Sequence, residues 1–296
     1  MTFMPHFDSW PWKLAIVLAL VGMREFVRLL SPKEASTPSA QSAGETSRWL
    51  IETLDSAAIA IGLVLFIIQP FLLQAFYIPS GSMENTLQIK DRLLVSKLVY
   101  RLRPPHFQDV VVFRAPPEAL RSSGSEDSNP GEETDYIKRC IGTPGDVVYA
   151  ENRKYYHNGQ LLDEPYVHWS QLNGNVSYSY DMKIVEGVVY SREYEAPGVP
   201  GVWRAQGIPI PEADQERINR AKPGPVPEGK FLMLGDHRNN SNDSHEWGFV
   251  PRANVVGKAV CVFWPPTRLG LLDRMSFHPR AADSPSLPAT EPITQP

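Results

Sequence analysis

The chain has too few cysteines for a disulfide framework or a cysteine-based zinc site, and it lacks the positive net charge that is typical of nucleic-acid-binding proteins. Only two of its 296 residues are cysteines, Cys140 and Cys261, too few for a disulfide framework or a cysteine-based zinc site. Each lies in an apolar, strand-like run, so we expect buried free thiols; the alternative, a disulfide, requires export. The formal net charge is only −4, from 29 basic and 33 acidic residues. The basic excess typical of nucleic-acid-binding proteins is therefore missing.

Charge is also absent from one long stretch, residues 56–83. About 20 apolar residues suffice to cross a bilayer, and Phe76 and Tyr77 near the end of the stretch suit a membrane interface. We predict a transmembrane helix over residues 50–78, of which 57–78 form the uncharged part. The alternative is a buried core helix.

A shorter apolar segment lies nearer the N-terminus, at residues 14–23. It is short for a full span, and it is followed by basic residues that favour the cytoplasm by the positive-inside rule, namely Arg24, Arg28, Lys33 and Arg48. We interpret residues 1–30 as a short first transmembrane helix, with a cytoplasmic interfacial helix as the alternative. Residues 31–49, rich in Ser, Ala and Pro, are predicted to be a flexible cytoplasmic linker. Everything after residue 78 then lies outside the cytoplasm.

The composition changes beyond residue 79. Short β-branched runs alternate with Gly, Pro and Asp turns, which is typical of antiparallel β structure. We place one β-rich domain at residues 79–273, with one helical segment at 212–221. Residues 121–135 have almost nothing to bury and predict a disordered surface insertion. Residues 274–296 are predicted to be a frayed tail.

Two small polar residues, Ser80 and Ser82, flank Gly81 where the predicted membrane helix meets water. Such a pair packs poorly, but it is well placed for a nucleophile exposed at a membrane surface. A serine needs a base to become reactive. No histidine has a recognisable triad context, and those at positions 106, 157 and 168 lie in loop-like settings.

A lysine is the stronger candidate for the base. The strand-like run 136–141 carries two adjacent cations, Lys138 and Arg139, and neighbours in a strand point to opposite faces. If Lys138 faces the apolar side, loss of hydration lowers its pKa and yields a neutral amine that can accept the serine proton. The alternative is an exposed edge strand with two solvated charges.

A second polar cluster, residues 235–248, follows the apolar run 231–234. Four of its side chains are possible metal ligands, but their spacing fits no standard pattern and no H-E-x-x-H motif is present. We therefore expect no metal at these four residues, Asp236, His237, Asp243 and His245. The cluster is either a self-bonded turn network or a network that orients a catalytic amine, and we prefer the second interpretation.

Four blocks together resemble the bacterial type I signal peptidases, also called leader peptidases. They are PSGSMENTL (79–87), DRLLVSK (91–97), YIKRCIGTPGD (136–146) and GDHRNNSNDSHEWG (235–248). Weaker similarity lies at 157–167 and 249–264, so the resemblance covers residues 57–264. Each block alone is moderately specific, but their order behind a membrane anchor is very specific.

The resemblance implies a Ser/Lys endopeptidase that removes signal peptides after Ala-x-Ala sequences and needs no metal or other cofactor. It implies a mainly β fold, an antiparallel catalytic domain with a second β-rich region inserted at about 151–229. The residues that it assigns are Ser82 (nucleophile), Lys138 (general base), Ser80 (oxyanion donor), Ser241 (hydrogen bond to the Lys138 amine), Asp236 (partner of Arg139), Asp243 (loop support), and Ile78, Met83, Leu87 and Ile137 (pocket for small side chains).

The implied partners are preproteins that carry signal peptides, the lipid bilayer and, indirectly, the secretion translocon; no nucleic acid is implied. The implied location is the cytoplasmic membrane, with the catalytic domain on its outer face.

The chain departs from the family pattern at two positions. Asn85 stands where the family usually has proline, which changes the rigidity of the turn. His245 stands where many members have an arginine that pairs with the equivalent of Asp243, which puts that ion pair in doubt.

Three other interpretations compete with an active bacterial signal peptidase. Self-cleaving repressors use a similar Ser/Lys fold, but they lack a membrane helix. A catalytically silent, membrane-tethered homologue would not need Ser82, Lys138 and Ser241 together. An organelle-type processing peptidase is closer, although no transit peptide is evident.

Overall fold

The computed structural model describes residues 10–30, 38–66, 72–122, 134–172, 175–176, 179–196 and 198–272. Most of the predicted insertion, 123–133, and the predicted tail, 274–296, lie outside the described residues. The helices are α1 (Trp10–Leu30), α2 (Pro38–Leu63), α3 (Val99–Leu102), α4 (Pro117–Ser122), α5 (Glu212–Arg220) and α6 (Ser244–Trp247), with 3₁₀ turns at Arg252–Asn254 and Pro266–Arg268.

The N-terminal part consists of two long helices. α1 packs against α2, and Arg24 Nε lies 2.8 Å from Asp55 Oδ1. α2 continues as a π-helical turn over residues 64–66. Among the described residues one helix, Thr46–Phe66, is long and apolar enough to cross a membrane.

The boundaries of these helices differ from the prediction at both ends of α2. The helix begins at Pro38, inside the segment that was predicted to be a flexible linker. The predicted helix to residue 78 is also too long, because Leu73–Tyr77 forms strand β1. Hydropathy alone does not separate a short apolar strand from the end of a helix, whereas here a partner strand supplies the hydrogen bonds.

The main sheet has eight strands. Four of them precede the inserted region in the chain and four follow it. In spatial order they are β1 (Leu73–Tyr77), β2 (Arg92–Ser96), β17 (Val255–Trp264), β3 (Val110–Arg114), β4 (Asp135–Gly142), β15 (Lys230–Leu234) and β16 (Val250–Pro251), and β18 (Gly270–Leu271) also pairs with β17.

The second sheet is formed by the chain between β4 and β15. Its order is β14 (Ile208–Pro209), β13 (Arg204–Ala205), β11 (Val188–Ala196), β10 (Tyr180–Val185), β5 (Val148–Glu151), β6 (Lys154–His157) and β7 (Gln160–Leu161), with β12 (Val199–Pro200) beside β11; a separate hairpin joins β8 (Gln171–Leu172) and β9 (Asn175–Val176). The ladders among the described strands are antiparallel. The predicted mainly antiparallel β fold, with a second β-rich region, is confirmed, and α5 occupies the predicted helical segment.

The strands β3, β4 and β15 of the main sheet are buried on both faces, which explains their continuous apolar runs. In β3, Val110 and Val112 belong to one core cluster, while Val111 and Phe113 belong to another. A third cluster joins the two sheets through residues such as Leu232 and Tyr180. Cys140 and Cys261 are free thiols, as predicted, and Cys140 is buried.

Candidate active site

Ser82 lies on the loop that connects β1 to β2, residues 78–91. Two backbone hydrogen bonds close the base of this loop, from Ile78 N–H to Asp91 O (2.9 Å) and from Lys90 N–H to Ile78 O (2.8 Å). At the top, the Ser82 carbonyl accepts a hydrogen bond from His237 N–H at 3.1 Å. The serine is therefore held by the closed base of its loop and by the hydrogen bond to its own carbonyl.

Lys138 reaches this serine from β4. Its Nζ donates a hydrogen bond to Ser82 Oγ at 2.7 Å, and only 5% of the lysine is exposed. In the register of β3 with β4, Val111 lies opposite Lys138 and Val110 lies opposite Arg139. The two cations therefore point to opposite faces, as strand alternation predicts. The interpretation as an exposed edge strand is wrong, because β4 lies between β3 and β15.

Burial changes the protonation of Lys138. Loss of hydration lowers its pKa to about 8, and the negative charges of Asp243 and, more weakly, Asp236 limit this fall. A substantial fraction of the amine is therefore neutral in mildly basic solution. This fraction has a lone pair directed at the Ser82 hydroxyl, which is the arrangement that a general base requires.

Arg139 has a separate partner on the other side of the strand. Its Nε and Nη2 donate to Asp236 Oδ1 (2.8 Å) and Oδ2 (2.6 Å), and both side chains are almost completely buried. Thr86 Oγ1 donates to Asp236 Oδ2 at 2.5 Å, and the guanidinium lies 3.9 Å from the Tyr166 ring centre. The pairing predicted for Asp236 and Arg139 is present in the structure, and it ties the nucleophile loop to β4 through Thr86.

Asp243 and His245 form the second buried pair of this region. Asp243 Oδ1 lies 2.7 Å from His245 Nδ1, and Asp243 Oδ2 accepts Gly235 N–H at 2.8 Å. Despite the burial that opposes its charged form, the nearby Asp243 raises the pKa of His245 to about 9. The histidine also stacks on Tyr180, with ring centres 3.9 Å apart. The raised pKa favours the protonated imidazole, which can pair with Asp243 as a guanidinium would.

Ser241 does not make the hydrogen bond that the resemblance implies. Its Oγ is buried and has no hydrogen-bond partner among the described residues, so the Lys138 amine is not held by this hydroxyl in the structure. Ser241 instead packs on Gly235, where an added Cβ would lie only 2.1 Å from Ser241 Oγ and 2.6 Å from the Ser82 carbonyl oxygen. A side chain larger than glycine at position 235 would push Ser241 and the nucleophile loop apart.

A cavity of about 250 Å³ opens beside the Ser82–Lys138 pair. Ile78 and Ile137, two of the four residues expected to form the pocket for small side chains, line it, and so does Ser80, which is exposed. The other two, Met83 and Leu87, do not line this cavity, because they are fully buried in the core cluster that also contains Ile78. Sequence reasoning assigned no role to the six other lining residues, Pro79, Gly81, Asp135, Tyr136, Asn240 and Asn242. Alternation along β4 could have identified Tyr136, because it shares the face of Lys138.

The turn after the nucleophile has an unusual backbone. Asn85 has φ +78°, a left-handed conformation that asparagine tolerates and that proline, with φ near −65°, cannot adopt. The departure from the family pattern is thus a change in backbone conformation and not only in rigidity.

Comparison with known proteins points to one family. The profile described as "Signal peptidase, peptidase S26" matches residues 50–264. The chain is 36% identical over 276 residues to "Probable signal peptidase I-2" of Synechocystis sp., an alignment that covers 90% of the chain and 96% of that protein. It is 35% identical to "Signal peptidase I" of Leptolyngbya laminosa (80% and 92% covered) and 29% identical to "Signal peptidase I" of Pseudomonas aeruginosa (90% and 97% covered).

Proposed function

Because the chain belongs to the signal peptidase family, peptidase S26, we propose that it cleaves signal peptides from preproteins with Ser82 as nucleophile and Lys138 as general base. The observation that carries the residue roles is the 2.7 Å contact between Lys138 Nζ and Ser82 Oγ at the wall of an open cavity. The family assignment also removes the self-cleaving repressor from the alternatives. The distinction between a bacterial and an organelle enzyme stays a prediction.

The reaction follows from this geometry. The neutral Lys138 amine accepts the Ser82 proton as Oγ attacks the scissile carbonyl, and the resulting ammonium then protonates the leaving amine. An acyl-enzyme remains, and the same amine, neutral again, accepts a proton from the attacking water and returns it to Ser82 Oγ as the acyl bond breaks, which releases the carboxylic acid product and restores the serine hydroxyl. Arg139 takes no part in proton transfer, because it stays charged at any working pH and is neutralised by Asp236 on the opposite face.

The cavity supports a preference for small side chains before the cleaved bond. Its apolar walls come from Ile78 and Ile137, and the space behind Ile78 is already filled by Met83 and Leu87. An Ala-x-Ala sequence fits such a shallow apolar surface, whereas a larger side chain would have to displace the core.

The pH dependence of the reaction tests the role of Lys138. Burial places its pKa at about 8, and only the form present above that pKa can accept a proton. The value of kcat/KM is therefore expected to fall about tenfold per pH unit below pH 8 and to level off above it. Stopped-time cleavage of a purified preprotein between pH 4 and pH 10 measures this limb. A limb near pH 4–5, where carboxylates titrate, would assign the base to Asp or Glu.

Ser80 is proposed to donate its hydroxyl to the oxyanion, beside the backbone N–H of Ser82. Loss of one oxyanion donor typically costs about 10²–10³ in kcat with little change in KM, so we expect that result for Ser80→Ala. Ser80→Thr retains a hydroxyl and should recover part of the rate. Separate kcat and KM values for the three proteins decide the point, and a fully active Ser80→Ala variant would mean that other donors form the hole.

The proposed location is the cytoplasmic membrane, with residues after 78 on its outer face and with the bilayer and, indirectly, the translocon as partners. The apolar helix Thr46–Phe66 and the basic residues that precede it support this orientation. If α1 also spans, a tag at the N-terminus is digested by protease added to intact spheroplasts. Digestion only after permeabilisation would show that α1 stays on the cytoplasmic side.

A further inference from the structure

Three possible metal ligands from distant parts of the chain meet beside the nucleophile loop. Glu84 lies two residues after Ser82, His168 lies in the chain between β7 and β8, and His237 follows β15. One ligand atom of each lies within 4.8 Å of the others. His237 Nδ1 is 3.0 Å from Glu84 Oε2, and the two imidazole rings are T-shaped, with centres 4.5 Å apart.

We propose that Glu84, His168 and His237 form a binding site for a divalent transition metal ion of the zinc type. Two imidazoles and a carboxylate are a donor set that zinc uses with a fourth, open position. Bonds of about 2.0–2.1 Å to zinc place tetrahedral ligand atoms about 3.3 Å apart. The Glu84–His237 separation is already close to that value, and the distances to His168, which are at most 4.8 Å, need to shorten by no more than about 1.5 Å to complete the set.

The two histidines are held side by side by the backbone. His168 N–H donates to Asp236 O at 2.8 Å, and Arg238 N–H donates to His168 O at 3.0 Å, so residues 168 and 237 form a parallel β-bridge. This bridge fixes both Cα positions before any ion arrives, which reduces the conformational entropy that binding would otherwise cost.

The side chains are also prepared for an ion. Ser170 Oγ contacts His237 Nε2, and Asn239 Oδ1 accepts the Ser170 N–H at 2.8 Å. This contact orients the ring with Nδ1 toward Glu84 and toward the Gly81 carbonyl oxygen, 3.2 Å away, as a hydrogen bond to the second nitrogen of a metal-bound histidine does. An ion bound at Nδ1 would replace the Gly81 contact. His237 is buried, but Glu84 and His168 are only half-buried, which leaves an entry path for an ion.

A bound ion would hold neighbouring segments of the chain together and would take no part in the cleavage reaction. None of the three ligands lines the cavity in which Ser82 and Lys138 meet. However, His237 N–H holds the Ser82 carbonyl, and Glu84 belongs to the same loop as the serine. A bound ion would therefore tie the nucleophile loop to the second β-rich region and to the 235–248 loop, so it should stabilise the fold without acting as a Lewis acid.

Thermal unfolding of the full chain in detergent, without substrate, tests the site. At a free zinc concentration one hundred times the dissociation constant, a single site is expected to raise Tm by about 5–10 °C relative to protein in EDTA. Titration should give one ion per chain, and cobalt(II) in place of zinc should give the visible absorption of a four-coordinate complex. An unchanged Tm together with no cobalt spectrum would overturn the proposal.

Variants assign the ion to these residues. His168→Ala and Glu84→Gln should each remove most of the Tm increase, whereas His106→Ala, at an exposed histidine outside the cluster, should retain it. Equal increases in the ligand variants and the His106 control would show adventitious binding and refute the site. If one of the two ligand variants does not fold, the zinc-dependent increase in Tm of the other variant decides whether the ion binds at these residues. The measurement needs no proteolysis, so it can fail while the Ser/Lys mechanism stands.

Discussion

Ser82→Ala and Lys138→Arg are each expected to reduce preprotein cleavage by about 10⁴-fold or more, as is found when a catalytic nucleophile or base is removed. In Ser82→Ala the alanine has no oxygen to attack the carbonyl. In Lys138→Arg the positive charge is kept, but a guanidinium stays protonated at any working pH and cannot accept the serine proton. Single-turnover cleavage of a preprotein with an Ala-x-Ala site, with enzyme in excess, measures both losses.

The controls separate chemistry from folding. Lys230→Arg makes the same exchange at an exposed lysine on β15 and should keep full activity. Lys138→Met keeps an unbranched side chain in the buried position and should be inactive while it retains the wild-type Tm within a few degrees. Turnover in Lys138→Arg comparable to wild type would refute Lys138 as the base.

Asp236→Asn is expected to lower the free energy of unfolding by about 3–5 kcal/mol, because it leaves the buried Arg139 guanidinium without its counter-charge. Both members of the pair are almost completely buried, so water cannot replace the lost carboxylate. Denaturant unfolding of the detergent-solubilised chain measures this loss. A cost below about 1 kcal/mol, typical of an exposed pair, would show that the guanidinium finds another partner.

The same substitution should also move the pH profile, and the direction is set by charge. The Asp236 carboxylate raises the pKa of Lys138, against the larger effect of burial. Its removal therefore lowers that pKa, and the lower limb of kcat/KM is expected to shift to lower pH while the maximal rate falls. The double variant Arg139→Met/Asp236→Asn removes the unpaired charge and should recover part of the stability. Because it removes both charges of a mutually neutralising pair, its limb should lie closer to the wild-type position than that of Asp236→Asn, and a limb as shifted as that of the single variant would contradict this account.

Much of the candidate site could be predicted because it depends on neighbouring residues in the chain or on recognisable sequence motifs. Alternation along one strand is enough to send Lys138 and Arg139 to opposite faces, although it left open whether that strand is buried or an exposed edge. The β-rich character of the catalytic domain followed from composition, and the serine was noted from its position in a Gly-flanked turn. The acidic partner for Arg139 followed from the family resemblance. These features depend on residues that are close together in the chain or on motifs that carry a role with them.

Other features were decided by contacts between distant segments. Residues 73–77 are as apolar as the helix before them, but pairing with β2 makes them a strand. Met83 and Leu87 pack in the core cluster that contains Ile78 and do not line the cavity. Ser241 packs on Gly235, and its hydroxyl makes no hydrogen bond to the Lys138 amine.

The sequence by itself thus determined which residue types carry the chemistry and which face of a strand each occupies. The tertiary structure alone decided which side chains meet across long separations, such as Ser82 with Lys138, or Glu84 and His168 with His237. The physical reason is that hydrophobic periodicity specifies burial, whereas the distance between two buried side chains depends on strand order and register. Those are fixed only when the whole sheet has formed.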